Sequence, residues 1–228
     1  MKERFDLGHI PAILWGEPSD RLYIFVHGKL SRKEAAESFA RIAGQKGFQT
    51  LSFDLAQHGE RKDGAALDVF SGVRDLQTAA DYAFPRWKRV SLYACSLGAY
   101  FSLQTYAERP FEKALFQSPI VDMAFLVSRM MEWFHVTPAQ LKEKGVIETP
   151  VDPLRWDYYQ YILAHPTARW PIPTGILYGG KDNMQSPEVM RAFAQRFHAR
   201  LTISPDSEHP FMAEGDGKIV EAWLTENV

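Results

Sequence analysis

Short apolar, β-branched and aromatic runs alternate along this chain with longer stretches whose apolar residues recur at helical spacing. The runs are Leu22–Val26, Phe48–Phe53, Val90–Ala94, Ala114–Phe116, Gly175–Tyr178 and Leu201–Ser204. Their brevity and near-continuous apolar character predict strands buried on both faces. Between them, residues 32–46 place Ala35, Ala36, Phe39, Ile42 and Ala43 on one helical face. Residues 68–83 do the same with Val69, Val73, Leu76, Ala79, Ala80 and Ala83. Further helices are expected over 97–108, 187–199 and 211–225. Strand then helix, repeated, predicts a doubly wound, mainly parallel α/β sheet with helices on both faces. Before the first buried run, Phe5–Leu7 and Ile10–Trp15 predict an antiparallel hairpin at the sheet edge.

One stretch interrupts the alternation. From Pro119 to Pro173 there is no strand-like run, but Met, Trp, Tyr and Phe are frequent. A helix is expected over 121–136, another opened by Thr137 as N-cap with Pro138 at the first helical position, and a third over 152–163. At roughly 150 residues per domain, 228 residues are too many for one minimal domain and too few for two. The surplus is read as a helical cap at 120–170 within a single domain covering 1–228.

Composition excludes other classes. With 26 basic and 28 acidic residues the net charge is −2, which leaves no electrostatic footprint for nucleic acid or an anionic membrane. No apolar run is long enough to span a membrane or to form a signal peptide. A single cysteine, Cys95, forms no intrachain disulfide and favours a reducing, cytoplasmic setting. There is no His-Glu-x-x-His, no cluster of His and Cys ligands and no glycine-rich phosphate loop, so neither metal nor cofactor is expected. The sequence leaves the oligomeric state open.

In parallel sheets ligands gather beyond the carboxyl ends of the strands. The residues found there are His27-Gly28-Lys29, Asp54 with His58-Gly59, Ala94-Cys95-Ser96-Leu97-Gly98, Gly179-Gly180-Lys181-Asp182 and His209-Pro210. A serine, an acid and a histidine therefore lie at one end of the sheet, in that chain order. Together they suit nucleophilic catalysis: a serine hydroxyl needs a base as it attacks, histidine titrates in the right range, and a carboxylate holds the ring.

These residues resemble the α/β-hydrolase fold superfamily over essentially the whole chain. Its elbow is Gly-x-Ser-x-Gly on a strand-to-helix turn, with triad order Ser, Asp or Glu, His. Here Ala94 stands for the first glycine, adding one methyl at a tight turn. His27-Gly28 is similar to the His-Gly before the oxyanion loop. Asp54-x-x-x-His58-Gly59 is similar to the Asp-x-x-Gly-His-Gly loop, with Gln57 for the middle glycine. His209-Pro210-Phe211 resembles the loop carrying the catalytic histidine. The resemblance implies Ser96 as nucleophile, His209 as base, Asp182 as acid, and the backbone N–H groups of Lys29 and Leu97 as oxyanion donors. It implies a serine esterase working through an acyl-enzyme, most simply a carboxylesterase on small or medium acyl esters. Thioesterase, lactonase and carbon–carbon bond hydrolase use the same triad, and a small-ligand-binding protein on the same fold is a reading from another class.

Competing roles exist for each residue. Ser96 is also a plausible helix N-cap. Asp122, after the strand ending near Ser118-Pro119, rivals Asp182 as the acid. His27 and His58 are expected to shape the site, while His9, His135, His165 and His198 lie elsewhere. Cys95, one position before the apex, reads as a buried structural thiol.

Overall fold

A computed structural model describes residues 1–228. The strands are β1 (Lys2–Leu7), β2 (Ile10–Trp15), β3 (Arg21–Val26), β4 (Gln49–Phe53), β5 (Arg89–Cys95), β6 (Ala114–Gln117), β7 (Val146–Ile147), β8 (Leu154–Arg155), β9 (Thr174–Gly179) and β10 (Arg200–Ser204). Eight of them form one sheet in the order β1-β2-β4-β3-β5-β6-β9-β10. The β1–β2 hairpin joins the sheet antiparallel through β2 and β4, and every other pairing is parallel.

Period-two alternation between two covered faces explains why the central strand β3 carries no charged residue after Arg21. In β3, Leu22, Ile24 and Val26 enter a core of 41 residues on one face, while Tyr23 and Phe25 enter a core of 16 on the other. The smaller core is closed by α1 (Glu37–Gln45) and α8 (Asp216–Asn227), through Phe39, Ile42, Trp223 and Leu224. The larger one is closed by α2 (Val69–Ala83), α3 (Leu97–Thr105) and α7 (Pro187–Arg196). Full burial of a Leu, Ile or Phe side chain contributes about 1.5–3 kcal/mol, so two filled faces outweigh any local propensity.

Helix boundaries depart from the periodicity in several places. The first helix begins as a 3₁₀ turn, Lys33–Ala36, before α1. The last helix, expected from 211, starts only at Asp216. Phe211 has φ 71° and Gly215 φ 92°, both incompatible with a continuing helix. Asp216 turns its carboxylate back to accept from Ser207 Oγ at 2.6 Å and Ala213 N at 3.0 Å, closing the loop between them.

Between β6 and β9 lie α4 (Met123–Trp133), α5 (Pro138–Lys144), the antiparallel pair β7–β8 and α6 (Trp156–Ala164). The β7–β8 pair corrects the expectation of no strand here; at two residues per strand there is no periodicity to read. It also moves the start of α6 from 152 to 156. Thr137 caps α5 as expected, exchanging hydrogen bonds with Gln140 in a capping box. Met123, Val127, Met130, Leu141, Leu154 and Ile162 of this insertion belong to the same 41-residue core as the sheet. No helix is long and apolar enough to cross a membrane.

Candidate active site

β5 ends at Cys95 and α3 begins at Leu97, so Ser96 forms the whole turn between them. Its φ of 50° and ψ of −118° are sparsely populated for a non-glycine residue and cost on the order of 1–3 kcal/mol. The neighbouring backbone holds it there. Ser96 N donates to Gln117 O at 3.1 Å, and Ile120 N donates to Ser96 O at 3.2 Å. Gly98 is required at the next turn, because a Cβ there would lie 2.5 Å from His27 O. Ala94, in place of the usual glycine, is an ordinary buried strand residue paired with Val26 and Phe116.

The serine hydroxyl does not cap α3. Ser96 Oγ donates to His209 Nε2 at 2.7 Å, and His209 Nδ1 donates to Asp182 Oδ2 at 2.8 Å. The second carboxylate oxygen of Asp182 accepts from Met184 N at 2.7 Å and Gln185 N at 3.3 Å. The acid is thereby aimed by its own loop. Asp122 instead caps α4, its side chain accepting from Phe125 N at 2.9 Å. Burial, with a smaller contribution from the Asp182 charge, pushes the Cys95 thiol up to about 12. A thiol held protonated is a poor nucleophile.

The loop after β3 is clasped to the loop after β4 by two histidines. His27 Nε2 accepts from Leu55 N at 3.0 Å, and His58 Nε2 accepts from Leu30 N at 2.8 Å. Each ring donates its Nδ1–H to a local carbonyl, Gly28 O at 2.7 Å and Ala56 O at 2.8 Å. Behind them the buried Asp54 accepts from Lys33 N, Lys33 Nζ and Glu60 N. Held this way, Lys29 N–H donates to no protein acceptor, and neither does Leu97 N–H at the start of α3. Leu97 N–H directly follows the serine, and Gly28, the residue before Lys29, packs against it, a Cβ there lying 3.1 Å from Ser96 Cβ; a helix N-terminus at this place also favours negative charge.

Burial lowers His27 from its ordinary 6.5 to about 4. Below pH 6.5 the unfolded chain binds this proton and the folded chain does not. The stability contributed by neutral His27 is therefore complete above about 6.5 and is lost progressively toward pH 4. The shift from 6.5 to about 4 corresponds to roughly 3 kcal/mol. Urea unfolding across that window should show His27→Gln losing less stability on acidification than native protein; parallel pH profiles would contradict this.

Two residues that sequence reading passed over tie the site together. Gln117 accepts from Tyr93 OH at 2.5 Å and donates to Pro210 O at 2.9 Å, linking the elbow to the histidine loop. Gln185, buried, accepts from Val121 N and Asp122 N and donates to Asp122 O, so it roots the insertion to the acid loop. The available signal was position alone: Gln117 ends β6 and Gln185 follows β9, both strands adjoining the site.

A cavity of about 420 Å³ lies between α4, α6 and α7, walled by Tyr100, Val121, Met123, Ile162 and Phe193. None of Ser96, Asp182 and His209 lines it. No group of three or more His, Cys, Asp or Glu side chains is arranged to hold a metal ion.

No family model matches the sequence, and no curated protein matches it significantly. Solved structures do. Est1E from Butyrivibrio proteoclasticus, with ferulic acid bound, superposes with a TM-score of 0.80 at 17% identity, covering 98% of this chain and 96% of that one. Mouse alpha/beta hydrolase domain-containing protein 10 gives 0.77 at 16% identity, with 99% and 97% covered. A monoacylglycerol lipase from Paleococcus ferrophilus gives 0.68 at 16% identity, with 95% and 98% covered. These superpositions extend over nearly the full length of an eight-stranded, mainly parallel sheet with its helices, and the chain has the α/β-hydrolase fold.

Proposed function

We propose that this protein is a serine hydrolase, a carboxylesterase for small or medium acyl esters that works through an acyl-enzyme. The observation that carries the reading is the unbroken relay from Ser96 Oγ through His209 to Asp182. A fold alone does not specify chemistry, but a ligand-binding protein has no use for a strained serine hydrogen-bonded to a carboxylate-backed imidazole.

In the reaction, Ser96 Oγ attacks the ester carbonyl as its proton passes to His209 Nε2. Asp182 keeps the other ring proton on Nδ1 and stabilises the imidazolium. The carbonyl oxygen becomes an oxyanion between Lys29 N–H and Leu97 N–H, and each such donor is worth about 3–4 kcal/mol of barrier. Collapse expels the alcohol, which takes the proton from Nε2 and leaves the acyl group on Ser96. Water, deprotonated by the same nitrogen, then attacks the acyl carbon, releases the acid and returns the proton to Ser96. The chain needs no cofactor or metal for any of these steps. Residues 120–170 act as a cap that shapes the space above Ser96.

Native protein should label with a fluorophosphonate and hydrolyse p-nitrophenyl esters, with kcat/KM falling as the acyl chain outgrows the space under the cap. Absence of labelling would overturn the serine-hydrolase reading. Labelling without turnover of any ester in the panel would overturn the carboxylesterase assignment and leave the triad standing.

A further inference from the structure

The insertion touches the rest of the molecule mainly through apolar side chains. Two ion pairs join residues 120–170 to the α/β body, Arg169 with Glu108 and Lys29 Nζ with Asp152, and only the second involves the loop after β3. The lysine is the residue whose backbone N–H stands unpaired just after Gly28, which packs against Ser96. Its ammonium also donates to Val151 O at 3.0 Å, so it grips the same turn twice.

That turn is built to present the two acceptors together. Thr149 Oγ1 accepts from Val151 N and Asp152 N, each at 3.2 Å, and donates to Asp152 O at 2.6 Å. On the other side of Lys29, Leu30 N–H is fixed by His58 and has φ 62°, a left-handed conformation that leucine rarely adopts. Leu30 itself is 90% exposed, so no packing of its side chain holds the loop there. The segment 28–30 is therefore held at both ends by the histidine clasp, through Gly28 O and Leu30 N–H, and at its middle by the insertion, through the Lys29 side chain.

We propose that Lys29 and Asp152 form a latch through which the insertion aims the Lys29 oxyanion donor, making Asp152 a positioning residue for the reaction. The proposal rests on the triad reading above. When the insertion is seated, the latch holds the peptide plane at Lys29 with its N–H toward the carbonyl oxygen of a bound ester. When it is released, that donor keeps only the bond from His27 Nδ1 to Gly28 O in its own peptide plane and loses the restraint from the insertion, while Leu97 N–H, fixed by α3, stays in place. Closure over a substrate and assembly of the oxyanion hole then become one event.

An oxyanion donor acts only in the transition state, so the effect belongs in kcat and not in KM. A partly exposed ion pair alone is worth at most a few-fold, whereas loss of a donor costs about 10²–10³-fold. Asp152→Ala should accordingly lower kcat about ten-fold or more with KM nearly unchanged, and Asp152→Glu should recover most of it. Asp157→Asn, which breaks the pair between Asp157 of α6 and Arg155 of β8 within the insertion, serves as the control at native rate. Screening at 1 M salt, where the Debye length is about 3 Å, should slow native enzyme and leave Asp152→Ala unaffected. In ¹⁵N-resolved NMR spectra the Lys29 amide should shift in Asp152→Ala and return in Asp152→Glu.

A rise in KM with kcat unchanged would make Asp152 a packing residue of the insertion and overturn the latch. So would an unmoved Lys29 amide. If native protein fails to react with a fluorophosphonate, the triad reading falls instead, and the amide shift still reports whether Asp152 holds Lys29.

Discussion

Ser96→Ala should abolish fluorophosphonate labelling and lower kcat by about 10⁶-fold, the scale seen when the nucleophile of a coupled triad is removed. The fold should survive, since the hydroxyl bonds only to His209, and the strained turn is held by backbone contacts to Gln117 and Ile120. Circular dichroism and a thermal melt close to native would separate lost chemistry from lost structure. Cys95→Ala is the matched control. Its thiol is half-buried and pushed up to about 12, so removing it should leave labelling intact. Labelling that persists in Ser96→Ala and vanishes in Cys95→Ala would transfer the nucleophile to the neighbouring residue and refute the assignment.

Asp182→Asn is expected to lower kcat by roughly 10⁴-fold, for a reason visible in the hydrogen bonds. One carboxylate oxygen of Asp182 accepts from the backbone N–H groups of Met184 and Gln185, and the other accepts from His209 Nδ1. An asparagine must place its carbonyl oxygen toward the two backbone donors, because its NH₂ offers them nothing. The NH₂ then faces His209 and forces Nδ1 to become the acceptor. The ring proton moves to Nε2, the atom that must take the proton of Ser96. Asp122→Asn makes the opposite case. Asparagine is as good an N-cap as aspartate, so the bond to Phe125 N survives and both stability and kcat should stay near native. Steady-state rates of the two variants, with melts to verify folding, decide between the acids; an Asp182→Asn enzyme of native activity would remove Asp182 from the mechanism.

These outcomes reach back to what could be read before any coordinate. The strands at 22–26, 48–53 and 90–94 were legible because a buried parallel strand demands apolar residues on both faces. The edge hairpin and the Thr137-Pro138 helix start were legible for equally local reasons. The onset of α8 was not, because Asp216 takes its partners from Ser207 and Ala213, and that loop closure is invisible to periodicity. The β7–β8 pair escaped because two residues per strand carry no pattern. Gln117 and Gln185 escaped because an amide side chain announces nothing until its neighbours are known.

The chain's own order of residues determined that a serine, an aspartate and a histidine would each follow a strand of one parallel sheet. Strand burial and turn chemistry are local properties, and they place such residues at a common edge. Which acid meets the histidine was decided only in three dimensions. Asp122 and Asp182 both follow strands, yet Asp182 is aimed by its own loop at a ring 27 residues away, and that ring reaches a serine a further 113 positions back. The same holds for the unpaired N–H of Lys29. Its loop is set by the clasp of His27 after β3 and His58 after β4, contacts that sheet order and packing create and no local pattern encodes.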